Sequence, residues 1–537
     1  MFNRWKCVCA WAEVCVPFVP LGLVALLVGC GGSSAVVPAQ TSPVVSGIFP
    51  SSGTVGTSVT ISGSNVGASQ GSSTVTFNGT AASVSSWSDT TIVAKVPLGA
   101  TSGGVVVTVD GIASSGVNFT VVPLAMGSIT ASNSGFQCGL ASGNCPHETW
   151  PTTQAQPGLF RMHDVGTAWA NLSTGPGAYD WTTLDGWLDS IAQHQPLEVI
   201  YVFAWVPCWD APSPCEAPTV AANGTNGPPA DLTTAGSPSF QDFVTQLLQH
   251  CSPAGNCVKD LIKYYEMWNE WDGVENGVRF RWGGTMNQLY QMLAPAVSII
   301  RSNVTGAVIL TPSTFPGGKL YGPVPADLTA WLNNETANGN RRISDWVVWH
   351  DYLAGNTPEF EWTQGTAIKF LNAQTSLSEW ATTPWANTET NFAPKTFACP
   401  STFSTEECSG QIVRWQLLHT SNGASSLDWY KWNQTIGANS RYETTYYYMM
   451  QYMVGGKFAG PCAPVAGAGG ETWTCNFTEA GGTTALWVWT TNESGTTFTV
   501  PSGYIDYLDL TGGKTTVTSG QSLPIGTTPV MLEQLEQ

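Results

Sequence analysis

The sequence predicts a multidomain chain in which a (β/α)8 barrel lies between two all-β segments. From residue 124 to 458, apolar runs of strand length alternate with amphipathic stretches of helix length. Before them, over 44–122, and after them, over 459–537, short strand patterns are punctuated by Gly and Asn. The 537 residues allow two to four domains, at roughly 150 residues each.

Composition narrows the function classes. Apolar residues make up 42%, enough for a large core and too many for wholesale disorder. Charged residues are only 10%, against about 25% in an average soluble protein. Lys plus Arg is 19 and Asp plus Glu is 37, a net charge of −18. That balance excludes a phosphate-backbone binder, which needs a basic surface, so no nucleic-acid partner is expected. Low charge with 24 Trp and 57 Gly fits an exported protein that handles neutral polymers.

The N-terminus reads as an address. Arg4 and Lys6 precede an apolar run from Val14 to Gly29, broken by Pro17 and Pro20. The run is shorter than the roughly 20 residues of a spanning helix and suits a signal peptide, assigned to 1–29. Its end, Leu27-Val28-Gly29-Cys30, resembles a bacterial lipobox, in which Cys30 would be acylated. A plain signal peptide or a single anchor helix are the rival readings. Residues 30–43, with Gly31-Gly32-Ser33-Ser34, form a tether. Ten later cysteines fall in close pairs: Cys138/Cys145, Cys208/Cys215, Cys251/Cys257, Cys399/Cys408 and Cys462/Cys475. In an exported chain such spacing reads as disulfides, with local pairing expected but not fixed by sequence. Zinc is the alternative, but no His recurs at ligand spacing.

The first β segment alternates cleanly in Ser58-Val59-Thr60-Ile61-Ser62-Gly63 and in Val105-Val106-Val107-Thr108-Val109, with turns at Asn78-Gly79 and Asp110-Gly111. Ile48-Phe49-Pro50-Ser51-Ser52-Gly53 and Val75-Thr76-Phe77-Asn78-Gly79-Thr80 resemble the IPT/TIG family of immunoglobulin-like domains. The resemblance implies a β-sandwich acting as a spacer or as a carbohydrate- or partner-binding platform.

In the middle segment, strands are expected at Leu124–Thr130, Leu159–Met162, Leu197–Phe203, Ile262–Trp268, Ala307–Thr311, Trp346–His350, Pro384–Thr388 and Ser426–Trp432. Helices are expected between them, among them Thr183–His194, Ser239–His250, Met286–Ser302 and Gly410–Ser421. No Gly-rich phosphate loop follows the first strand, which disfavours a doubly wound sheet. In a (β/α)8 barrel the chemistry sits at C-terminal strand ends. Here those ends are Arg161-Met162-His163-Asp164, Trp205-Val206-Pro207, Trp268-Asn269-Glu270, His350-Asp351-Tyr352, Thr388-Glu389 and Trp429-Tyr430. Two carboxylates facing each other among Trp residues are what glycosidic cleavage needs: one protonated to donate to the leaving oxygen, one ionised beneath the anomeric carbon.

Tyr265-Glu266-Met267-Trp268-Asn269-Glu270 is similar to the strand-four motif of clan A glycoside hydrolases, and Pro384-Trp385-Ala386-Asn387-Thr388-Glu389 to the strand-seven segment that carries their nucleophile. Arg161-Met162-His163-Asp164 with Tyr179-Asp180-Trp181 most resembles family 39. The resemblance implies a TIM barrel in which Glu270 is the acid/base and Glu389 the nucleophile, about 5–5.5 Å apart if configuration is retained. It further implies that Asn269 bonds the sugar 2-hydroxyl, Arg161 keeps Glu389 ionised, His350 and Tyr352 line the floor beside the nucleophile, and Trp429 is the sugar platform. Trp205 is a further candidate sugar contact. Glu266 reads better as a structural hydrogen-bonder, Glu379 is a competing nucleophile, and His163 and Asp164 either anchor loops or touch sugar.

Past the helix expected at Tyr442–Val454, strands return in Ala485-Leu486-Trp487-Val488-Trp489 and Tyr504–Leu510. They resemble the small β-sandwich attached to barrels of the same clan. The expected function is a retaining glycosidase acting on β-linked poly- or oligosaccharide, an exported, monomeric surface lipoprotein needing no cofactor or metal. A transglycosidase would share the same residues. The other readings are a catalytically inactive sugar-binding lipoprotein and an interaction protein working through its first β-sandwich.

Overall fold

The computed structural model describes residues 41–53, 57–97, 100, 102–121, 127–137, 150–151, 157–211, 224–275, 278–279, 281–315, 325–337, 339–393, 398–465 and 471–535. The signal, Cys30, and Cys138, Cys145 and Cys215 lie outside the described residues.

Alternation in the first β segment has the consequence the pattern dictates. One sheet joins Val44–Phe49, Ser58–Ser64, Thr91–Lys95 and Val84–Trp87; the other joins Ser52–Gly53, Val117–Val121, Gly103–Val109, Thr74–Phe77 and Thr80–Ala81. Val59, Ile61, Val75, Phe77, Val105, Val107 and Phe119 fill the space between them. Phe77 meets Phe119 edge to face at 5.3 Å.

The barrel strands are β1 (Ser134–Gln137), β2 (Leu159–Met162), β3 (Glu198–Val202), β4 (Tyr264–Glu266), β5 (Val308–Leu310), β6 (Val347–His350), β7 (Trp385–Thr390) and β8 (Ala424–Tyr430). All pair in parallel, in the order β5-β4-β3-β2-β1-β8-β7-β6. A bridge closes the ring: Thr311 N donates to Trp346 O and Trp346 N to Ile309 O, both at 3.0 Å. The fold is therefore the expected TIM barrel.

Strand one is a correction. It runs over Ser134–Gln137 rather than Leu124–Thr130. Of the expected stretch, residues 127–130 form no strand, and Ile129 exchanges backbone hydrogen bonds with Gly455 and Gly456 at the edge of the C-terminal domain.

Among the described residues, the longer helices that follow strands are α1 (Thr182–Gln193), α2 (Pro238–Gln249), α3 (Met286–Asn303), α4 (Ala326–Thr336), α5 (Thr366–Ser376), α6 (Thr405–Ser421) and α7 (Ser440–Met453). Their starts carry local signals. Ser237 caps α2, with Pro238 at its first turn, and Thr285 and Gln288 form a capping box on α3. Buried Leu289, Leu293, Ala296 and Ile300 recur at helical spacing on α3.

Inside the barrel the strands lay down two layers. Leu159, Ile200, Val202, Leu310, Val348 and Ala386 form an apolar plug at the N-terminal end. Above it, Gln137, Arg161, Glu266, His350 and Asp428 are fully buried and polar. Buried charges need partners, and Arg161 supplies one to Gln137, Glu266 and His350, while Asp428 accepts from Ser426.

Beyond α7, one sheet joins Lys457–Phe458, Thr472–Thr478, Thr484–Thr490, Val530–Gln534, Tyr504–Leu508 and Lys514–Thr516, and a second pairs Thr496–Thr499 with Ser522–Ile525. Leu486, Val488, Val500, Leu523, Ile525 and Leu532 fill the sandwich. The opposite face, with Trp473, Trp487, Trp489 and Met531, joins the barrel core. That cover explains why α6 is buried from Glu407 to Ser421 despite Glu407, Gln411, Arg414 and Gln416. Arg414 pairs Glu359 at 3.1 Å and also Glu407, and Trp489 Nε1 donates to Glu359 at 2.7 Å. The disulfides Cys251–Cys257, Cys399–Cys408 and Cys462–Cys475 staple loops as expected. Cys208 is also disulfide-bonded. Among the described residues, no helix is long and apolar enough to cross a membrane.

Candidate active site

The polar layer opens at the C-terminal ends of the strands, and Arg161 organises it. From β2, its Nε and Nη2 donate to Glu266 of β4 at 2.8 and 2.6 Å. Its Nη1 donates to Gln137 of β1 at 2.6 Å and to Glu389 of β7 at 2.9 Å. Nη2 also donates to Asn269 Oδ1 at 2.7 Å and to His350 Nε2 at 3.2 Å. Arginine only donates, so Nε2 of His350 accepts and the ring carries its hydrogen on Nδ1. That hydrogen goes to Glu270 Oε1, 2.9 Å away.

One oxygen of Glu270, one of Glu389 and a ring nitrogen of His350 lie within 4.8 Å of one another. Three such donors are also a set that a cation can occupy, but Arg161 and Arg281 already compensate the same carboxylates. Glu389 accepts from Arg161 on one oxygen and from Tyr352 on the other. Burial and the neighbouring carboxylates push the Tyr352 phenol well above its ordinary range, which keeps it a donor. Asn269 gives its oxygen to Arg161, and its Nδ2 is buried without a hydrogen-bond partner.

Glu270 departs from expectation in one respect. Burial pushes its carboxyl up, but the hydrogen bond from His350 and the charge of Arg281 more than offset this and hold it below the usual carboxylate range. These partners thus favour its ionised form, whereas proton donation requires the acid.

Trp429 is a register correction. Side chains of a strand alternate between faces. On β8, Asp428 lies beside Arg161, and Tyr430 donates to Asp164 at 2.8 Å, so the even positions face the cleft. Trp429 faces the helices, has no exposed surface and packs on Phe392 at 5.9 Å, so it presents no platform to a sugar. The alternation Ser426, Asp428, Tyr430 against Leu427, Trp429 carried that signal in the sequence. Trp205 does lie at the mouth, and the guanidinium of Arg281 covers its ring at 5.0 Å.

Glu266 is wholly buried on Arg161 and has no exposure to the cleft. Glu379 is exposed in the turn before β7, at the end of the barrel opposite the carboxylate pair. His163 and Asp164 pair with each other at 3.3 Å, at the rim. Residues that the sequence did not single out are Gln137, Ser313, which accepts from Glu270 N at 3.0 Å, and Arg281. Arg281 follows a short hairpin after β4, far along the chain from any barrel strand, and no sequence pattern marks it.

Residues 43–121 match the IPT/TIG domain family. No curated protein matches the chain. Among solved structures, the chain is similar to a family 39 glycoside hydrolase from the gut symbiont Bacteroides cellulosilyticus WH2, with a TM-score of 0.53 and 15% identity, over 90% of this chain and 98% of that one. A glucosidase from Croceicoccus marinus aligns at a TM-score of 0.48 and 12% identity, over 78% and 98% of the two chains. The catalytic domain of a GH30 xylanase C from Talaromyces cellulolyticus aligns at 0.45 and 13%, over 77% and 99%. The first of these shows that the fold is one a glycoside hydrolase adopts.

Proposed function

We propose that the chain is a retaining glycoside hydrolase acting on β-linked poly- or oligosaccharide, anchored at the cell surface through Cys30. The observation that carries the reading is the convergence of Glu270 and Glu389, 119 residues apart in sequence, to within 4.8 Å across one barrel mouth. Retaining enzymes hold their carboxyls about 5–5.5 Å apart, whereas inverting ones leave roughly 6.5–9.5 Å for a water.

In this reading Glu389, positioned by Arg161 and Tyr352, attacks the anomeric carbon while Glu270 delivers a proton to the leaving oxygen. Glu270 then takes a proton from the water that releases the sugar. The unpartnered Nδ2 of Asn269 donates to the 2-hydroxyl of the reacting sugar. Neither step needs a metal or cofactor. The carbohydrate is the partner, and the protein works as a monomer.

The test is hydrolysis of a glycan panel, with the anomer of the first product followed by NMR. Retention is expected. Glu389→Ala should abolish turnover while leaving the circular dichroism unchanged. Inversion of configuration, or a Glu389→Ala protein as active as wild type, would refute the assignment. A catalytically inactive carbohydrate-binding protein would bind a glycan and cleave none of the panel.

A further inference from the structure

Both oxygens of Glu270 are engaged by donors. Oε1 accepts from His350 Nδ1 at 2.9 Å, and Oε2 pairs with Arg281 Nη2 at 3.2 Å. A general acid must carry its proton on an oxygen that faces the leaving group. Each oxygen keeps a second lone pair, but the guanidinium paired with Oε2 opposes a proton there by its charge, so delivery from that oxygen calls for one partner to withdraw. His350 cannot: its side chain is fully buried, at the end of β6, and its other nitrogen is held by Arg161. Arg281 can. Its side chain is 16% exposed, it comes from a connecting segment rather than a strand, and it rests on Trp205 at the cleft rim.

The geometry points to Arg281 as a positioning residue that gates Glu270: seated on Trp205 it pairs the carboxylate in the free enzyme, and a sugar entering over Trp205 displaces it, freeing Oε2 to take up the proton that the reaction consumes. This rests on the glycosidase reading above. With the His350 hydrogen bond, the larger cause, the Arg281 charge also helps to hold the Glu270 carboxyl below its ordinary range. The other groups facing Glu270 are His163 from the loop after β2, Asp272 on its own loop, Tyr352 after β6 and Glu389 on β7. His163 lies at the rim with Asp164, and burial lowers its pKa, so it adds little positive charge. Burial pushes the Asp272 carboxyl well up, so it adds little negative charge. Arg281 is therefore the movable charge. An ordinary aromatic subsite would present Trp205 bare. Here the sugar must exchange with a cation for that ring, so Arg281 couples binding to protonation.

Two readouts on the full chain test this. In substrate-free protein labelled with δ-13C glutamate, the Glu270 resonance is identified by its loss in Glu270→Gln, and its titration midpoint is followed. Arg281→Gln should raise that midpoint by about one pH unit or more, the usual effect of removing an adjacent cation. Arg281→Lys should raise it by less. On a glycoside that wild type cleaves, the alkaline limb of kcat/KM, which reports the free enzyme, should move up by the same amount. The limb of kcat, which reports the occupied site, should stay in place. An unchanged Glu270 midpoint in Arg281→Gln overturns the proposal. So does a kcat limb that moves as far as the kcat/KM limb, because Arg281 would then still sit on Glu270 beneath the sugar. Absence of turnover by wild type on every glycoside sinks the glycosidase reading, while the NMR midpoint still decides the Arg281–Glu270 coupling.

Discussion

Replacing Arg161 with Met removes the only guanidinium in the buried polar layer of the barrel. It contacts Glu266, Gln137, Asn269, Glu389 and His350 at 2.6–3.2 Å, and both it and Glu266 are fully buried. Breaking such a pair from one side strands a buried charge, at a cost of about 3–5 kcal/mol. Arg161→Met should therefore destabilise the barrel by about that amount. Glu266→Gln should cost less, because Arg161 keeps Glu389 as a counter-charge. In the double variant no carboxylate is stranded at position 266, so its loss should fall short of the sum of the single losses by about 1–3 kcal/mol. Urea unfolding followed by Trp emission measures all three, since the largest fully buried Trp side chains, apart from Trp487, belong to the barrel. Additivity within about 0.5 kcal/mol would mean that the two charges do not sense each other, and would refute the reasoning.

On β8, Tyr430→Phe, which removes a hydroxyl from the cleft, should lower kcat/KM at least several-fold, whereas Trp429→Phe should change stability and leave KM within about twofold; the reverse pattern would restore Trp429 to the cleft. Burial raises the Asp428 carboxyl to about 8, against about 3.9 in an unfolded chain. Between those values the native state binds the more protons, so wild type should lose stability as pH rises from 5 to 8, by up to about 1.4 kcal/mol per unit, relative to Asp428→Asn. A constant difference in Tm across that range would contradict this. Gly410→Ala on α6 places a Cβ 2.5 Å from the carbonyl oxygen of Thr527, and such overpacking costs about 1–3 kcal/mol. A neutral effect in thermal unfolding would mean that the sandwich is not pressed against α6.

Much of the barrel was legible because strands such as β3, β5 and β6 are apolar runs: Val and Ile fill β3 and β5, and Val and Trp fill β6, on both faces, as parallel strands covered on both sides must. β1 escaped because Ser134-Gly135-Phe136-Gln137 places small and polar groups where tertiary partners satisfy them. Ser134 donates to Gln416 at 2.8 Å, Gln137 accepts from Arg161, and a Cβ at Gly135 would overlap Asp428. No local pattern encodes partners 282 residues away in sequence. The converse error, a strand drawn over Leu124–Thr130, came from apolarity alone; Ile129 is buried outside any strand, where it exchanges backbone hydrogen bonds with Gly455 and Gly456 just after α7. In the site, the motif residues Arg161, Asn269, Glu270, His350, Tyr352 and Glu389 gather as their strand-end positions predict. Arg281 does not follow from that logic, since its place is set by a loop.

The backbone gives an independent measure of where the fold is under load. Eight non-glycine residues adopt positive φ among those described. Asn65, Asn78 and Asp110 lie in the first sandwich, where residue types that tolerate the left-handed region serve turns. The other five, Asp164, Trp205, Glu270, Ala354 and Lys431, follow β2, β3, β4, β6 and β8 at the same end of the barrel. Left-handed conformation costs an ordinary residue roughly 1–2 kcal/mol, and glycine would relieve it at each position. Glycine would also delete the carboxyls of Asp164 and Glu270, the ring of Trp205 and the ammonium of Lys431. Three of these side chains meet partners at the mouth: Glu270 on His350 and Arg281, Asp164 on Tyr430, and Trp205 under Arg281. A fold that only needed to end its strands would have no reason to keep these side chains at such positions; one that must hold opposed groups within a few ångströms over a common cleft does.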